Sequence, residues 1–461
     1  MAVTAYFCDA AFLGTGTAAA GVLVTVDGPR MVGVEAGADC PPGAVHLRGL
    51  TLPGFANAHS HAFHRLLRGR TERPGTFWAW RDQMYAVASA LDPDSFHRVA
   101  RAAFAEMALA GFTAVGEFHY LHHPPGGGRY ADPNAMGAAA FQAAADAGVR
   151  LTLLDTCYLQ GAPGEPLEGV QRRFGDASAD AWAERVEALR PPAGDAAAVP
   201  AGGQVGGQVG AAIHSVRAVP PDGCATVAAW AAGRGVPLHV HLSEQPAEND
   251  MVAAAYGGSP TGILSAAGAL GPSSTAVHAT HLAPADLSVL GRTGTGACMC
   301  PTTERSLGDG IGPAAALAAA GSPLSIGSDS QAVIDPLEEA RTLELDQRQA
   351  SGRRGHFSAA ELLAVAAEGG QRAIGWDGAG RIAPGAWADL VTISMDSPRL
   401  AGADPSCLLE LAVFSAGSQD VTDVVVSGRP VVSGGHHLLV PDVAGALRSA
   451  VGEVMEAMTR R

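Results

Sequence analysis

Two histidines one residue apart, His59 and His61, follow an apolar run from Leu50 to Ala58 that is broken by Pro53 and Gly54. On a strand, residues i and i+2 point to the same side, so both imidazoles enter one cavity, as two metal ligands must. Such a pair also arises in ordinary core packing, so its weight depends on what else the chain offers. The chain offers a set. Glu117 and His119, His214, His241, His278 and Asp329 lie at the ends of separate apolar runs. Three neutral imidazoles and a carboxylate suit a first-row divalent ion, zinc by default, and the predicted ligands are His59, His61, His241 and Asp329. Taken alone, Asp329 would suit a helix cap before Val333. Its place after the last apolar run, beside Gly327, favours the metal.

Glu244 lies three residues past His241, where a carboxylate can pass protons between water and a leaving nitrogen. His278 is placed to orient the attacking water or to stabilise charge on it. His239 reads as a hydrogen-bonded core residue and His281 as structural. His122-His123 and His436-His437 read as solvated loop pairs, and Cys298-x-Cys300 as packing. The chain has no lysine, so all 30 basic residues are arginines. A carbamylated lysine bridging two ions is therefore impossible, so a metal site of a type that would rely on that bridge should hold one ion.

Groups drawn from so many separate segments need a scaffold that gathers strand ends. With the strand ending at His61, the strand candidates are Ala114 to Phe118, Arg150 to Asp155, Gly210 to His214, Pro237 to His241, Thr275 to His278, Ala297 to Cys300 and Pro323 to Gly327. Ala-rich helical segments lie between many of them: Asp94 to Ala110, Asn134 to Asp146, Ala179 to Leu189, Cys224 to Arg234 and Pro284 to Leu290. Eight strands in strand–helix order predict an α/β fold, a (β/α)8 TIM-like barrel, with its catalytic groups at the C-terminal strand ends. Short β-rich pieces at both chain ends (Thr4 to Cys8, Gly21 to Val26 and Arg30 to Glu35; Asp389 to Ile393, Val421 to Val426 and Arg429 to Val432) predict a small β-sandwich domain beside the barrel. The expected division is 1–50 plus 379–440 for the sandwich, 51–378 for the barrel and 441–461 for a closing helix. Pro191 to Gly210, with Gly-Gly-Gln-Val repeated, reads as a flexible surface insertion.

The chain has 461 residues, 47% of them hydrophobic and 16% charged, with a net charge of -15. That length can bury a large core. The acidic balance argues against nucleic acid or anionic membrane as a partner. No apolar run reaches about 18 residues, and the N-terminus lacks the basic-then-apolar pattern of a signal peptide. Seven scattered cysteines, an odd number, suit free thiols in a reducing cytosol.

Ala58-His59-Ser60-His61-Ala62-Phe63, His239-Val240-His241-Leu242-Ser243-Glu244-Gln245, Val277-His278-Ala279-Thr280-His281, Leu307-Gly308-Asp309-Gly310 and Gly327-Ser328-Asp329-Ser330 resemble motifs of the amidohydrolase superfamily. Phe77-Trp78-Ala79-Trp80-Arg81, Glu117-Phe118-His119-Tyr120 and His214-Ser215-Val216-Arg217-Ala218-Val219 resemble, more narrowly, its formimidoylglutamate deiminase family. The similarity covers nearly the whole chain.

The resemblance implies hydrolysis of N-formimino-L-glutamate to N-formyl-L-glutamate and ammonia in histidine degradation. It also implies one zinc, or another divalent first-row ion, per subunit of a cytoplasmic homodimer. Glu244, His278 and Asp329 would be catalytic. A dicarboxylate substrate needs local cations in so acidic a protein, and Arg81 and Arg217 can each grip a carboxylate in a bidentate manner. His64, Tyr120 and His214 would complete the substrate site. The resemblance departs at His64, where the family has glutamine. Two other readings stand beside it: a deaminase of a purine, pterin or other heteroaromatic ring, and a catalytically silent barrel that only binds.

Overall fold

The structure is a computed structural model, and it describes residues 3–14, 16–72, 77–191, 206–402 and 404–460. Eight parallel strands run side by side in chain order: β5 (Phe55–Ser60), β6 (Phe112–His119), β7 (Arg150–Cys157), β8 (Gly207–Ile213), β9 (Leu238–Leu242), β10 (Ser274–His278), β11 (Gly296–Met299) and β12 (Leu324–Ile326). A parallel bridge between Ser60 and Asp329 joins the last strand to the first and nearly closes the barrel. Every residue of β5, β6 and β7 is buried, as expected for strands covered on both faces.

The turns into and out of the helices are written locally. Proline sits at the start of the helices Pro93–Leu109, Pro221–Arg234, Pro246–Tyr256, Pro284–Thr293 and Pro336–Ser351, where its missing N–H costs nothing. Asp92 caps the first of these and exchanges hydrogen bonds with Ser95. Gly235, at φ +63°, ends Pro221–Arg234 in the left-handed conformation that glycine adopts without penalty.

The two chain ends build one hydrogen-bonded sheet. Its order is β16 (His436–His437), β15 (Arg429–Ser433), β14 (Val421–Val426), β13 (Leu390–Ile393), β4 (Val45–Pro53), β1 (Thr4–Ala11), β2 (Ala19–Asp27) and β3 (Arg30–Ala36). β13 pairs antiparallel with β4, so the C-terminal strands are stitched to the N-terminal ones. A separate core of Tyr6, Cys8, Val22, Val24, Met31, Leu47 and Leu390 lies here. At the N-terminal end of β7, buried Arg150 pairs with Asp389 (2.7 and 2.6 Å) and bonds Gln371, tying the barrel floor to this sheet. The helix Val443–Thr459 buries Val443, Ala450 and Val454 and packs against Pro93–Leu109.

Most of the expected Pro191 to Gly210 insertion lies outside the described residues. Its second Gly-Gln-Val is not a surface loop: Gly207, Gln208 and Val209 are the first residues of β8 and pair with Leu151, Thr152 and Leu153. A small Gly207 is needed there, since a Cβ would meet the Phe141 ring at 2.9 Å. Among the described residues, no helix is long and apolar enough to cross a membrane. All seven cysteines are free, five of them buried.

Candidate active site

The barrel closes where the sequence places its metal ligands. The Asp329 amide donates to the His59 carbonyl (3.0 Å), and the His61 amide donates to the Asp329 carbonyl (3.2 Å). Gly327 permits this approach, because a Cβ on it would lie 2.7 Å from the Cβ and oxygen of His59. Candidate ligand atoms then gather in overlapping sets, His59 with His61 and His241, and Asp329 with His59 and His278 or with His61 and His64. Nε2 of His59 and Nε2 of His61 each lie 3.4 Å from Asp329 Oδ1, and the Nε2 atoms of His59 and His241 are 3.2 Å apart. No helix cap forms at Asp329; the next helix starts at Pro336.

Hydrogen bonds fix which nitrogens are bare. His61 Nδ1 donates to the Phe118 carbonyl (2.8 Å) and His241 Nδ1 to the His214 carbonyl (2.9 Å), leaving both Nε2 atoms as lone pairs. Burial lowers the pKa of His59 to about 3 and lowers His61 and His241 as well. Burial pushes Asp329 up, but the surrounding His59, His278 and His61 outweigh it and hold the carboxylate ionised. The bare nitrogens of His61 and His241 and the anionic Asp329 oxygen, gathered around His59, leave an electron-rich cluster that a cation would stabilise. The donor set fits zinc: bonds of about 2.0–2.1 Å in a tetrahedron give ligand–ligand edges of about 3.3–3.4 Å.

His278 stands beside this cluster. Its Nε2 lies 3.9 Å from both Glu244 Oε1 and Asp329 Oδ2, and its Nδ1 lies 3.4 Å from Glu304 Oε1. Burial lowers its pKa, but Glu244, Glu304 and Asp329 together raise it well above the usual imidazole range. His64 Nε2 and the Tyr120 hydroxyl share a hydrogen bond of 2.8 Å. A cavity of about 570 Å³, counting its open mouth, is lined by His61, His64, Arg81, Tyr120, His214, Arg217, His241, Glu244, His278 and Asp329. Of the predicted metal ligands, His59 stands behind the wall, fully buried.

The amidohydrolase family model matches residues 50–431. The chain belongs to the amidohydrolase family. Formimidoylglutamate deiminase of Pseudomonas aeruginosa is 38% identical, over 90% of this chain and 91% of that protein. An 8-oxoguanine deaminase of the same organism is 31% identical, over 91% of this chain and 93% of its own. Among solved structures, an amidohydrolase from Brucella melitensis superposes with a TM-score of 0.86 at 31% identity, covering 98% of this chain and all of that one. At 23% identity, an adenosine deaminase from Xanthomonas campestris solved with bound zinc shares the fold, with a TM-score of 0.81 over 99% of both chains.

As an amidohydrolase, this chain carries more in its cavity than strand ends reveal. Trp80, Met84, Tyr85, Tyr158, Phe174 and Leu307 also line it. Tyr158 directly follows β7 and was within reach of the strand-end rule. Tyr85 lies on the helix Phe77–Ala90 and Phe174 on a long loop, where no periodicity marks them. Glu304 was also missed. It is buried in the helix Pro301–Leu307, where it accepts from the Cys300 amide (2.8 Å) and faces His278.

Other histidines differ from expectation. His122 and His123 are buried, not solvated: His122 Nε2 donates to the Thr156 carbonyl (2.9 Å), and His123 lies 3.3 Å from Asp176. They join a buried network around Arg185, which pairs with Asp155 and Asp176 at 2.8 and 3.0 Å. His437 is buried too and donates to the Ala147 carbonyl, whereas His436 is exposed. Glu117 and His119 do not line the cavity. Glu117 accepts from the Ser60 hydroxyl and the Ala62 amide (both 2.7 Å), bracing the turn that carries His61. His239 donates to the Ala373 carbonyl (2.8 Å) and His281 to the Asp309 carbonyl (2.7 Å). The side chains of Phe77 and Trp78 lie outside the described residues.

Proposed function

We propose that this amidohydrolase removes the formimino nitrogen of N-formimino-L-glutamate, giving N-formyl-L-glutamate and ammonium. The observation that carries this is the joining of two chemistries in one cavity: the histidine–aspartate cluster and two arginines, Arg81 and Arg217, line the same space. The 38% identity to formimidoylglutamate deiminase of Pseudomonas aeruginosa supports the choice of substrate.

His59, His61, His241 and Asp329 would hold one divalent ion, zinc by default. That ion would supply Lewis acidity and a water whose pKa falls to about 7. The chain's own residues do the rest. Arg81 and Arg217 take the two substrate carboxylates, which neutralises a dianion that a chain of net charge -15 repels. Tyr120, His64 and His214 add hydrogen bonds around it. Asp329 positions the attacking water and receives its proton, and His278, kept protonated by Glu244, Glu304 and Asp329, stabilises negative charge on that oxygen. Glu244 delivers a proton to the departing nitrogen. Amidinium plus water gives formamide plus ammonium, so atoms and charge balance with no redox partner. The reading extends to a homodimer working in the cytoplasm in histidine degradation.

A second reading is a deaminase of a heteroaromatic ring. The aromatic wall of Trp80, Tyr85, Tyr120, Tyr158 and Phe174 favours it, as does the 31% identity to 8-oxoguanine deaminase. Ammonia release from formiminoglutamate, formiminoaspartate, 8-oxoguanine and adenosine derivatives separates the two. Formiminoglutamate should be the best substrate by kcat/KM. Turnover of a purine or pterin with none of formiminoglutamate would reject the proposal.

A further inference from the structure

A second chamber adjoins the active-site cavity. His214, Arg217, His241 and Glu244 line both spaces. The chamber alone is lined by Ser215, Gln245, Ala247, Glu248 and Met251, and it holds about 480 Å³ counting its mouth.

Glu248 is the unusual member. It sits in the first turn of the helix Pro246–Tyr256 and is only 6% exposed. Its Oε2 accepts from the Glu244 amide at 3.3 Å, a reach back over the helix start. Its Oε1 is buried without a hydrogen-bond partner among the described residues. Burial pushes its pKa up to about 7, with Arg217 pulling down and Glu244 pushing up. A buried acceptor with no partner is costly, so one oxygen of this carboxylate is paired and the other awaits a donor.

Charge decides what that donor is. The chamber walls carry two carboxylates, Glu244 and Glu248, against one guanidinium, Arg217, so the balance is one negative charge when both acids are ionised. In the proposed reaction Arg217 is already taken by a substrate carboxylate, and Glu244 faces His278 at 3.9 Å, which leaves Glu248 as the uncompensated acid. An anion is therefore repelled and a small cation drawn in. The reaction makes such a cation next to Glu244. Gln245 donates its side-chain amide to Asp309, which frees its carbonyl oxygen to accept, and the Ser215 hydroxyl lines the same space.

We infer that this chamber is a binding site for a small monovalent cation, the ammonium product, held by Glu248, Glu244 and the Gln245 carbonyl as it leaves. The inference rests on the proposed deiminase reading for the identity of the cation, but the cation site itself does not depend on it.

Thallium(I), which resembles ammonium and potassium in size, reports the site directly. Metal-loaded crystals soaked in a thallium salt should show an anomalous peak bonded to Glu248 Oε1. The peak should vanish in Glu248→Gln crystals and yield to ammonium chloride at lower concentration than to potassium chloride. In solution, formylglutamate production should be inhibited by ammonium chloride more than by potassium chloride at equal ionic strength. Glu248→Gln and Glu248→Ala should both weaken that inhibition about tenfold or more, the scale of one hydrogen bond to a charged group. A thallium peak without formiminoglutamate turnover would keep the cation site and remove the substrate reading. Normal turnover with no peak at Glu248, or with equal displacement by potassium and ammonium, would overturn this inference and leave that reading intact.

Discussion

A methyl group at Gly327 would sit 2.7 Å from the Cβ and carbonyl oxygen of His59 and 2.9 Å from its nitrogen. Comfortable contacts are about 3.5–4.0 Å, so Gly327→Ala must force β12 and β5 apart by about 1 Å. None of the three opposing atoms belongs to a side chain that can swing away. The same two segments carry the hydrogen bonds of 3.0 and 3.2 Å between His59, His61 and Asp329 that close the barrel. Overpacking of this kind costs about 1–3 kcal/mol in stability. The larger effect is on geometry, because Asp329 Oδ1 must stay 3.4 Å from two imidazole nitrogens for the four groups to share an ion. A misplacement of about 1 Å at a reacting centre lowers the rate by about a hundredfold. Gly327→Ala should therefore fold with a Tm lowered by several degrees, bind substoichiometric zinc and lose about two orders of magnitude in kcat/KM. Calorimetry, elemental analysis and ammonia release measure the three. Wild-type values for all of them would refute the argument that the close approach of Gly327 sets the site.

Stripping the ion with a chelator should abolish ammonia release and lower Tm, and one equivalent of zinc per chain should restore both; a requirement for two would contradict the single-ion reading. Arg81→Ala and Arg217→Ala should each lower kcat/KM for formiminoglutamate about ten- to a hundredfold, mainly through KM, as expected for losing one charge-assisted contact. Unchanged kcat/KM in both would remove them from the carboxylate site. Glu244→Gln should lower kcat by about 10²–10⁴ while zinc content stays at wild type; an unaltered kcat would take the proton shuttle elsewhere. Away from the site, burial pushes Asp176 up, but the His123 hydrogen bond and the Arg185 charge outweigh it and hold it at about 2. A carboxylate depressed on folding adds stability that is whole above its unfolded pKa of about 4 and is lost as pH falls through about 2. The stability gap between wild type and Asp176→Asn, read as urea midpoints, should shrink between pH 6 and pH 2, and an equal gap at both would refute this.

The barrel was legible because its strands are short apolar runs separated by helices that start with proline and end with glycine. The histidine–aspartate cluster was legible because a parallel barrel puts every strand's C-terminal end at one mouth, so a polar residue after an apolar run carries positional meaning. That rule found His241 and Asp329 and had no purchase on Tyr85 or Glu304, which reach inward from helices. It overreached at Glu117, whose side chain braces the turn that carries His61, and at His119, whose ring packs against Phe96 and His122. His122 and His123 looked solvated because a doubled histidine is polar. Their burial depends on Asp155, Asp176 and Arg185, which lie up to 63 residues away in sequence. The first residues of β8 were hidden because glycine marks loops, whereas Gly207 serves the close packing of Phe141.

What no pattern announced is backbone strain. Among the described residues, six non-glycine residues have positive φ, and five of them lie at the barrel mouth: Ser243 (+50°), His278 (+66°), Ala279 (+50°), Asp329 (+44°) and Gln331 (+59°). Each such conformation costs about 1–3 kcal/mol and persists only where its surroundings over-determine it. Here the surroundings are hydrogen bonds across the mouth. The Ala279 amide donates to the Leu242 carbonyl and the His281 amide to that of Ser243, both at 3.0 Å, and the Gln331 side chain donates to the Ser60 hydroxyl at 3.0 Å. A strand continuing in ordinary β geometry would carry His278 and Asp329 up and away from the axis. The left-handed turn at each of them bends the chain over the opening instead and delivers the imidazole and carboxylate to the same point. The strain and the chemistry therefore fall on the same two residues. Relaxing either backbone, for example by breaking the bond between the Asp329 amide and His59, would release the ligand cluster as well.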